Sequence, residues 1–195
     1  MLNVIIFGPP GSGKGTQSEK IIEKFGLAHI STGELLRAEI KSQSELGKTA
    51  ASYIDRGELV PDNIIIGMLE CKLRELNGVR GVIFDGFPRT VEQAYALKEM
   101  LSHHEEKVCL MLNLEVATEE LVARLLQRGK TSGRSDDNLE TIEKRIRVYE
   151  QQTAPVIDYY KNEGCYEGIA GFGGIDEIFN RICSVIEKRI TEFSK

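Results

Sequence analysis

The sequence predicts an α/β fold, a parallel sheet with helices on both faces. Two observations carry that prediction. Short apolar runs, such as Val4-Ile5-Ile6-Phe7 and Val82-Ile83-Phe84, recur along the chain and alternate with longer segments of helical periodicity, the pattern of repeated βαβ units. The first run, from Leu2, stops at Gly8 and leads into Gly11-Ser12-Gly13-Lys14, a glycine-rich turn at the junction of a strand and a helix. There is no internal repeat and no low-complexity segment.

Taken in order, residues 14–25 read as a helix with Ile21, Ile22 and Phe25 on its buried face and Gly26 as its C-terminal cap. Ala28-His29-Ile30 suits a second strand. Ser31 and Glu34 have capping-box spacing and open a polar, helical excursion to about Gly57, outside the main core. Pro61 begins a helix to about Leu76. Val82-Ile83-Phe84 is a buried strand ending in Asp85, and residues 90–103 are helical. A strand over 108–114 precedes a helix over 118–128 and a polar turn over 129–137. A long helix follows, with Ile142, Ile146, Tyr149, Val156 and Tyr160 in one stripe and a bend expected at Pro155. Residues 165–170 suit the last strand and 175–193 the closing helix.

With 195 residues, one domain is expected. The net charge of −5 argues against nucleic acid as main partner, whose footprint is basic. Cys71, Cys109, Cys165 and Cys183 form no C-x-x-C pair, so neither zinc nor a redox motif is indicated; each has apolar neighbours and reads as a buried thiol. No signal peptide and no membrane span are evident, and a cytoplasmic enzyme is expected.

The chemistry starts at the glycine-rich turn. Its backbone N–H groups and the positive end of the following helix suit phosphates, and Lys14 adds a point charge. Gly15 stands where the general pattern has a metal-ligating hydroxyl, and Thr16 follows. Asp85, at a strand's carboxyl end beside this turn, can hold magnesium through water or simply cap its own turn. The arginines differ in whether an acid lies three or four residues away. Arg145 and Arg128 have none and need partners elsewhere, for which phosphate is suited. Arg124 has Glu120, Arg37 has Glu34, and Arg147 has Glu143 and Glu150, so local ion pairs compete there. Thr90 with Gln93, and Asp137 with Glu140, have capping-box spacing; Asp136-Asp137 is either a cap or an orienter of arginines.

Four motifs together carry a resemblance: Gly8-Pro9-Pro10-Gly11-Ser12-Gly13-Lys14-Gly15-Thr16, Ser31-Thr32-Gly33-Glu34-Leu35-Leu36-Arg37, Asp85-Gly86-Phe87-Pro88-Arg89-Thr90 and Thr131-Ser132-Gly133-Arg134-Ser135-Asp136-Asp137. In order and spacing, over nearly the whole chain, they resemble the adenylate kinase family in its short-lid form, in which Gly-Lys-Gly-Thr is usual. The resemblance implies a phosphate-loop NTPase core (1–30, 61–127, 139–195), an AMP-closing segment (31–60) and a short lid (128–138). It implies ATP-binding roles for Gly11, Ser12, Gly13, Lys14, Gly15, Thr16, Arg124, Arg128 and Gly173. AMP-binding roles fall to Thr32, Arg37, Glu58, Leu59, Val60, Gly86, Phe87, Pro88, Arg89, Gln93, Arg134 and Arg145. Lys14, Arg89, Arg128, Arg134 and Arg145 would be catalytic, with magnesium near Asp85, no zinc, and a monomer acting on ATP, AMP and ADP.

A pyrimidine nucleoside monophosphate kinase is the nearest alternative. Those relatives usually have Ala where Thr32 stands and Asn where Thr90 stands, and the Gln93 amide matches the N1 and N6 edge of adenine, which favours AMP. A non-catalytic ATP-binding switch would need no second nucleotide site, so Arg37, Arg89 and Gln93 argue against it.

Overall fold

Strands β1 (Val4–Phe7), β2 (Ala28–Ser31), β3 (Val82–Asp85), β4 (Leu110–Glu115) and β5 (Tyr166–Ala170) form one sheet in the order β2-β3-β1-β4-β5. Every pairing is parallel. The computed structural model describes residues 1–76 and 78–193; residue 77 and the last two residues of the predicted core segments lie outside the described residues. The helices are α1 (Lys14–Phe25), α2 (Thr32–Lys41), α3 (Glu45–Ile54), α4 (Asp62–Glu75), α5 (Val91–Ser102), α6 (Thr118–Ser132), α7 (Leu139–Val148), α8 (Val156–Asn162) and α9 (Ile175–Phe193).

The period of two along β1 builds both cores. Val4 and Ile6 join Ile83, Leu110 and Leu112 against Ile21 of α1 and Ile178, Ile182 and Ile186 of α9. Ile5 and Phe7 face the other way, with Phe84 and Met111, toward Leu69 of α4, Leu97 of α5 and Val156 and Tyr160 of α8. Burial on both faces is why the inner strands β1, β3 and β4 read as largely apolar runs. Register places Asp85 beside Ile6, so the carboxyl ends of β3 and β1 open onto one crevice.

Local chemistry sets the boundaries. Gly26 ends α1 in the left-handed region at φ 65°, its N–H donating to the Ile22 carbonyl. Ser31 Oγ accepts from the Glu34 N–H at the start of α2. The excursion resolves into two helices, α2 and α3, and Ser44 caps the second by accepting from the Gly47 N–H.

Three expectations are corrected. Helix α6 runs to Ser132, not 128, because its left-handed cap is Gly133 at φ 62°. Gly129 stays helical, and its bare Cα lets the Asp137 carbonyl pass where a Cβ would meet it at 2.6 Å. The predicted long helix is divided: α7 passes into a π-helical stretch, Tyr149–Thr153, in which the Ala154 N–H reaches the Tyr149 carbonyl at 2.7 Å. Pro155, which has no N–H to donate, follows it, and α8 resumes at Val156. Finally, Cys71 is exposed; the other three cysteines are buried, and all four are free thiols.

Candidate active site

All the predicted site residues except Phe87 line one cleft of about 1150 Å³ at the carboxyl ends of the strands. At its floor, the loop after β1 turns on glycines with positive φ, and Gly11 is held there for two reasons. Its φ is 85°, and a Cβ would meet Leu125 Cγ at 2.9 Å and the Leu121 carbonyl at 3.0 Å, so α6 packs directly on the loop. Gly13 caps α1 in the left-handed region without a side-chain acceptor, which leaves the helix N-terminus open to an anion. Lys14 Nζ donates to the Gly8 and Pro9 carbonyls at 2.8 and 2.9 Å and to Ser12 Oγ at 3.4 Å. Burial lowers the Lys14 ammonium to about 8; Asp85 opposes that fall, and Arg89, Arg145 and Arg128 add to it.

Asp85 is the carboxylate of this floor. Burial alone would raise its pKa, but His29, Lys14 and Arg89 outweigh burial and hold it below the ordinary range. His29 Nε2 lies 3.9 Å from Asp85 Oδ2, an ion-pair distance, and that carboxylate raises the imidazole against the effect of its own burial. An ionised carboxylate beside the phosphate loop fits a water-mediated magnesium. Among the described residues no group of three His, Cys, Asp or Glu could hold a metal ion by itself.

On one side of the floor, Thr32 Oγ1 and Arg89 Nε both donate to the Gly86 carbonyl at 2.8 Å. Gly86, at φ 75°, has Arg89 Nη2 and Thr32 Oγ1 at 3.0 and 3.1 Å from where a Cβ would stand. Burial, then the charge of Arg145, pushes the Arg89 guanidinium down to about 10, with Asp85 opposing. Burial and Arg134 likewise lower Arg37. Among the described residues neither Arg37 nor Arg89 has a carboxylate in ion-pair range, so Glu34 does not neutralise Arg37 as helical spacing suggested. Glu58 turns to Lys144 at 2.7 Å and to Arg56.

On the other side, two buried aspartates hold three arginines. Arg128 makes a two-pronged pair with Asp137, both bonds 2.7 Å. Arg134 does the same with Asp136 at 3.1 Å. Arg145 Nη1 reaches Asp136 Oδ2 at 2.8 Å and Asp137 Oδ1 at 3.0 Å. The Asp137–Glu140 capping box is therefore absent: Asn138 caps α7, accepting from the Thr141 N–H at 3.0 Å. Ser135 Oγ donates to Asp55 Oδ1 at 2.7 Å, joining this turn to the 31–60 segment.

The chain matches known proteins over this whole arrangement. A family model described as Adenylate kinase matches residues 6–165. A protein named Adenylate kinase from Phocaeicola vulgatus is 60% identical over 188 residues, which cover 96% of this chain and 100% of that one. Proteins of the same name from Bacteroides thetaiotaomicron (57% over 188 residues, 96% and 100%) and Parabacteroides distasonis (60% over 182 residues, 93% and 96%) are similar as well. The chain belongs to the adenylate kinase family.

Within this adenylate kinase fold the remaining predicted residues divide. Arg124 pairs with Glu120, as helical spacing suggested, and also reaches the Gly171 and Ser12 carbonyls at 3.3 and 3.5 Å. Gly173 lines the cleft at φ 97°. Phe87 does not line it: its side chain, 1% exposed, is part of the core with Phe84 and Leu97. The Thr90–Gln93 cap forms, Thr90 Oγ1 accepting from the Gln93 N–H at 3.1 Å, but Gln93 Oε1 accepts from the N–H of Arg89, not of Thr90. Sequence reading missed His29 beside Asp85 and Asp62, which binds both Thr90 and Gln93. Asp62 read only as the start of a helix after Pro61, since its partners are remote in sequence.

Proposed function

We propose a division of labour for the cleft. The reaction is the reversible transfer of a phosphoryl group from ATP to AMP, giving two ADP, and a pyrimidine acceptor is not favoured. Residues 11–16 cradle the donor phosphates on backbone N–H groups, Lys14 neutralises the outer ones, and Arg128 closes on them from α6. Gly173 meets the donor adenine by its backbone, and Arg124 braces the loop. Arg37 and Arg89 hold the phosphate of AMP, while Thr32, residues 58–60, Gly86, Pro88 and Gln93 hold its nucleoside. An AMP phosphate oxygen attacks the γ-phosphorus in line and ADP leaves, with no covalent enzyme intermediate. Arg134 and Arg145 carry the charge spread over the transferring group. Magnesium, held through Asp85 and water, supplies further neutralisation of the phosphates when bound.

One observation carries this reading. Arg37 and Arg89 line the same cleft as the phosphate loop with no carboxylate partner among the described residues, which leaves a second anion to complete them. We further propose that residues 31–60 and 128–138 close over AMP and ATP, excluding water that would otherwise hydrolyse ATP. A monomer in the cytoplasm is the proposed setting. Four free cysteines support a reducing compartment, and no helix among the described residues is long and apolar enough to cross a membrane. The test is ADP formation from ATP with AMP, CMP, UMP or no acceptor. AMP should dominate, and faster turnover with CMP would refute the acceptor assignment.

A further inference from the structure

Asp62, at the first turn of α4, is outside the residues that line the cleft, yet its carboxylate is committed to one that does. Asp62 Oδ1 accepts from Gln93 Nε2 at 2.7 Å and Asp62 Oδ2 from Thr90 Oγ1 at 2.8 Å. At the other end of the same amide, Gln93 Oε1 accepts from the Arg89 N–H at 2.7 Å. A carboxylate can only accept and a backbone N–H can only donate. Turning the Gln93 amide over would therefore set its oxygen against Asp62 and its NH₂ against the Arg89 N–H, two mismatches at a side chain only 2% exposed. The amide has one polarity, and after these bonds it retains one N–H and one oxygen lone pair.

We infer that Asp62 is a positioning residue that fixes the polarity of Gln93 and thereby makes the acceptor site choose a 6-aminopurine over a 6-oxopurine. This rests on the proposed contact between Gln93 and the acceptor base. Adenine offers a donor at N6 and an acceptor at N1; a 6-oxopurine offers an acceptor at O6 and a donor at N1. The two edges are opposite in polarity, so a locked amide matches one, and a freely turning amide can meet either. Thr90 serves the same end, since its hydroxyl holds the second carboxylate oxygen while accepting from the Gln93 N–H.

The experiment compares kcat/KM for AMP with kcat/KM for inosine monophosphate in the wild type, Asp62→Ala, Asp62→Ser and Asp62→Asn. The ratio cancels the amount of active enzyme, so partial unfolding does not move it, and Asp62→Ser serves if Asp62→Ala does not fold. In Ala and Ser the ratio should fall by about tenfold, mainly through a higher KM for AMP, with KM for ATP unchanged. Asn keeps an acceptor for Gln93 Nε2 and should remain within about threefold of the wild type. A ratio in Ala and Ser within about threefold of the wild type, or an equal loss in Asn, would overturn the inference. A wild-type enzyme that does not discriminate between the two acceptors would instead refute the underlying assignment of Gln93.

Discussion

Raising the pH through 8 should weaken ATP binding and make it take up a proton at Lys14. In the ligand-free protein this ammonium is satisfied by the Gly8 and Pro9 carbonyls but buried among Arg89, Arg128 and Arg145, and it titrates at about 8 instead of 10.5. Phosphates restore the preference for the charged form, so the pKa rises in the complex. At pH 7 about nine-tenths of the free enzyme is already protonated, and at pH 9 about one-tenth. Apparent affinity should therefore fall about tenfold between these values, some 1.4 kcal/mol. Calorimetric titration of the magnesium nucleotide in buffers of different ionisation enthalpy counts the protons. Uptake should be near zero at pH 7, about one half at pH 8 and close to one at pH 9, and should vanish in Lys14→Met. No uptake at pH 9, or equal uptake in the variant, would refute the argument.

The same shift has a consequence for stability, with a fixed sign. The native pKa lies below the unfolded one, so the folded protein binds fewer protons between about pH 8 and 10.5, and the contribution of Lys14 to stability rises with pH across that window. Below pH 8 the charged lysine opposes folding in full. Allowing for the partial exposure of this residue, Lys14→Met should gain about 2 kcal/mol at pH 7, and the gain should close toward pH 10.5.

Arg89→Ala removes the donor proposed for the acceptor phosphate and should cost about 3–4 kcal/mol in kcat/KM for AMP; near-normal turnover would sink its assignment. Asp137→Asn leaves Arg128 and Arg145 short of their shared carboxylate, so thermal denaturation without nucleotide should show a loss of about 2 kcal/mol. Saturating ADP should shrink that loss by giving the arginines phosphate, and an undiminished loss would contradict the lid assignment. Gly86→Ala strains a residue at φ 75° and displaces Arg89 and Thr32, so KM for AMP should rise while KM for ATP holds; parallel rises in both would contradict it.

Where an element is delimited by its own local chemistry, sequence was enough: α1 begins and ends at the predicted residues because Gly13 and Gly26 bound it, and α9 starts at the predicted Ile175 after Gly173 and Gly174. The misreadings at the site share one physical cause, a partner remote in sequence. Gly129 looked like a helix stop, but what requires glycine there is the carbonyl of Asp137 crossing close by. Asp137 has the spacing of a cap, yet Arg128 and Arg145 outbid the backbone for it because a two-pronged charged pair is stronger than a single N–H bond. Arg128 and Arg145 have no acid three or four residues away because their partner Asp137 lies nine and eight away. Asp62 is 28 residues from Thr90 and 31 from Gln93, and no pattern within one element could reveal it.

The arginines of the cleft fall into two electrostatic classes, and the division follows the chemistry. Arg128 on α6, Arg134 in the turn and Arg145 on α7 are paired in place with Asp136 and Asp137, so the turn between the two helices is held together without a ligand. Arg37 and Arg89 lack such partners among the described residues and are depressed by burial and by the other arginines. Lys14 is lowered by the same field. An enzyme that supplied every cation with a buried carboxylate would have to break each pair before phosphate could bind, since an unpaired buried charge is costly. Leaving Arg37 and Arg89 unmatched places the unfavourable electrostatics in the cleft, where a phosphate bound as proposed would relieve it. The same arrangement predicts that anions filling the cleft stabilise the fold, and that the effect weakens in Arg37→Ala and Arg89→Ala, which remove the repulsion together with the site.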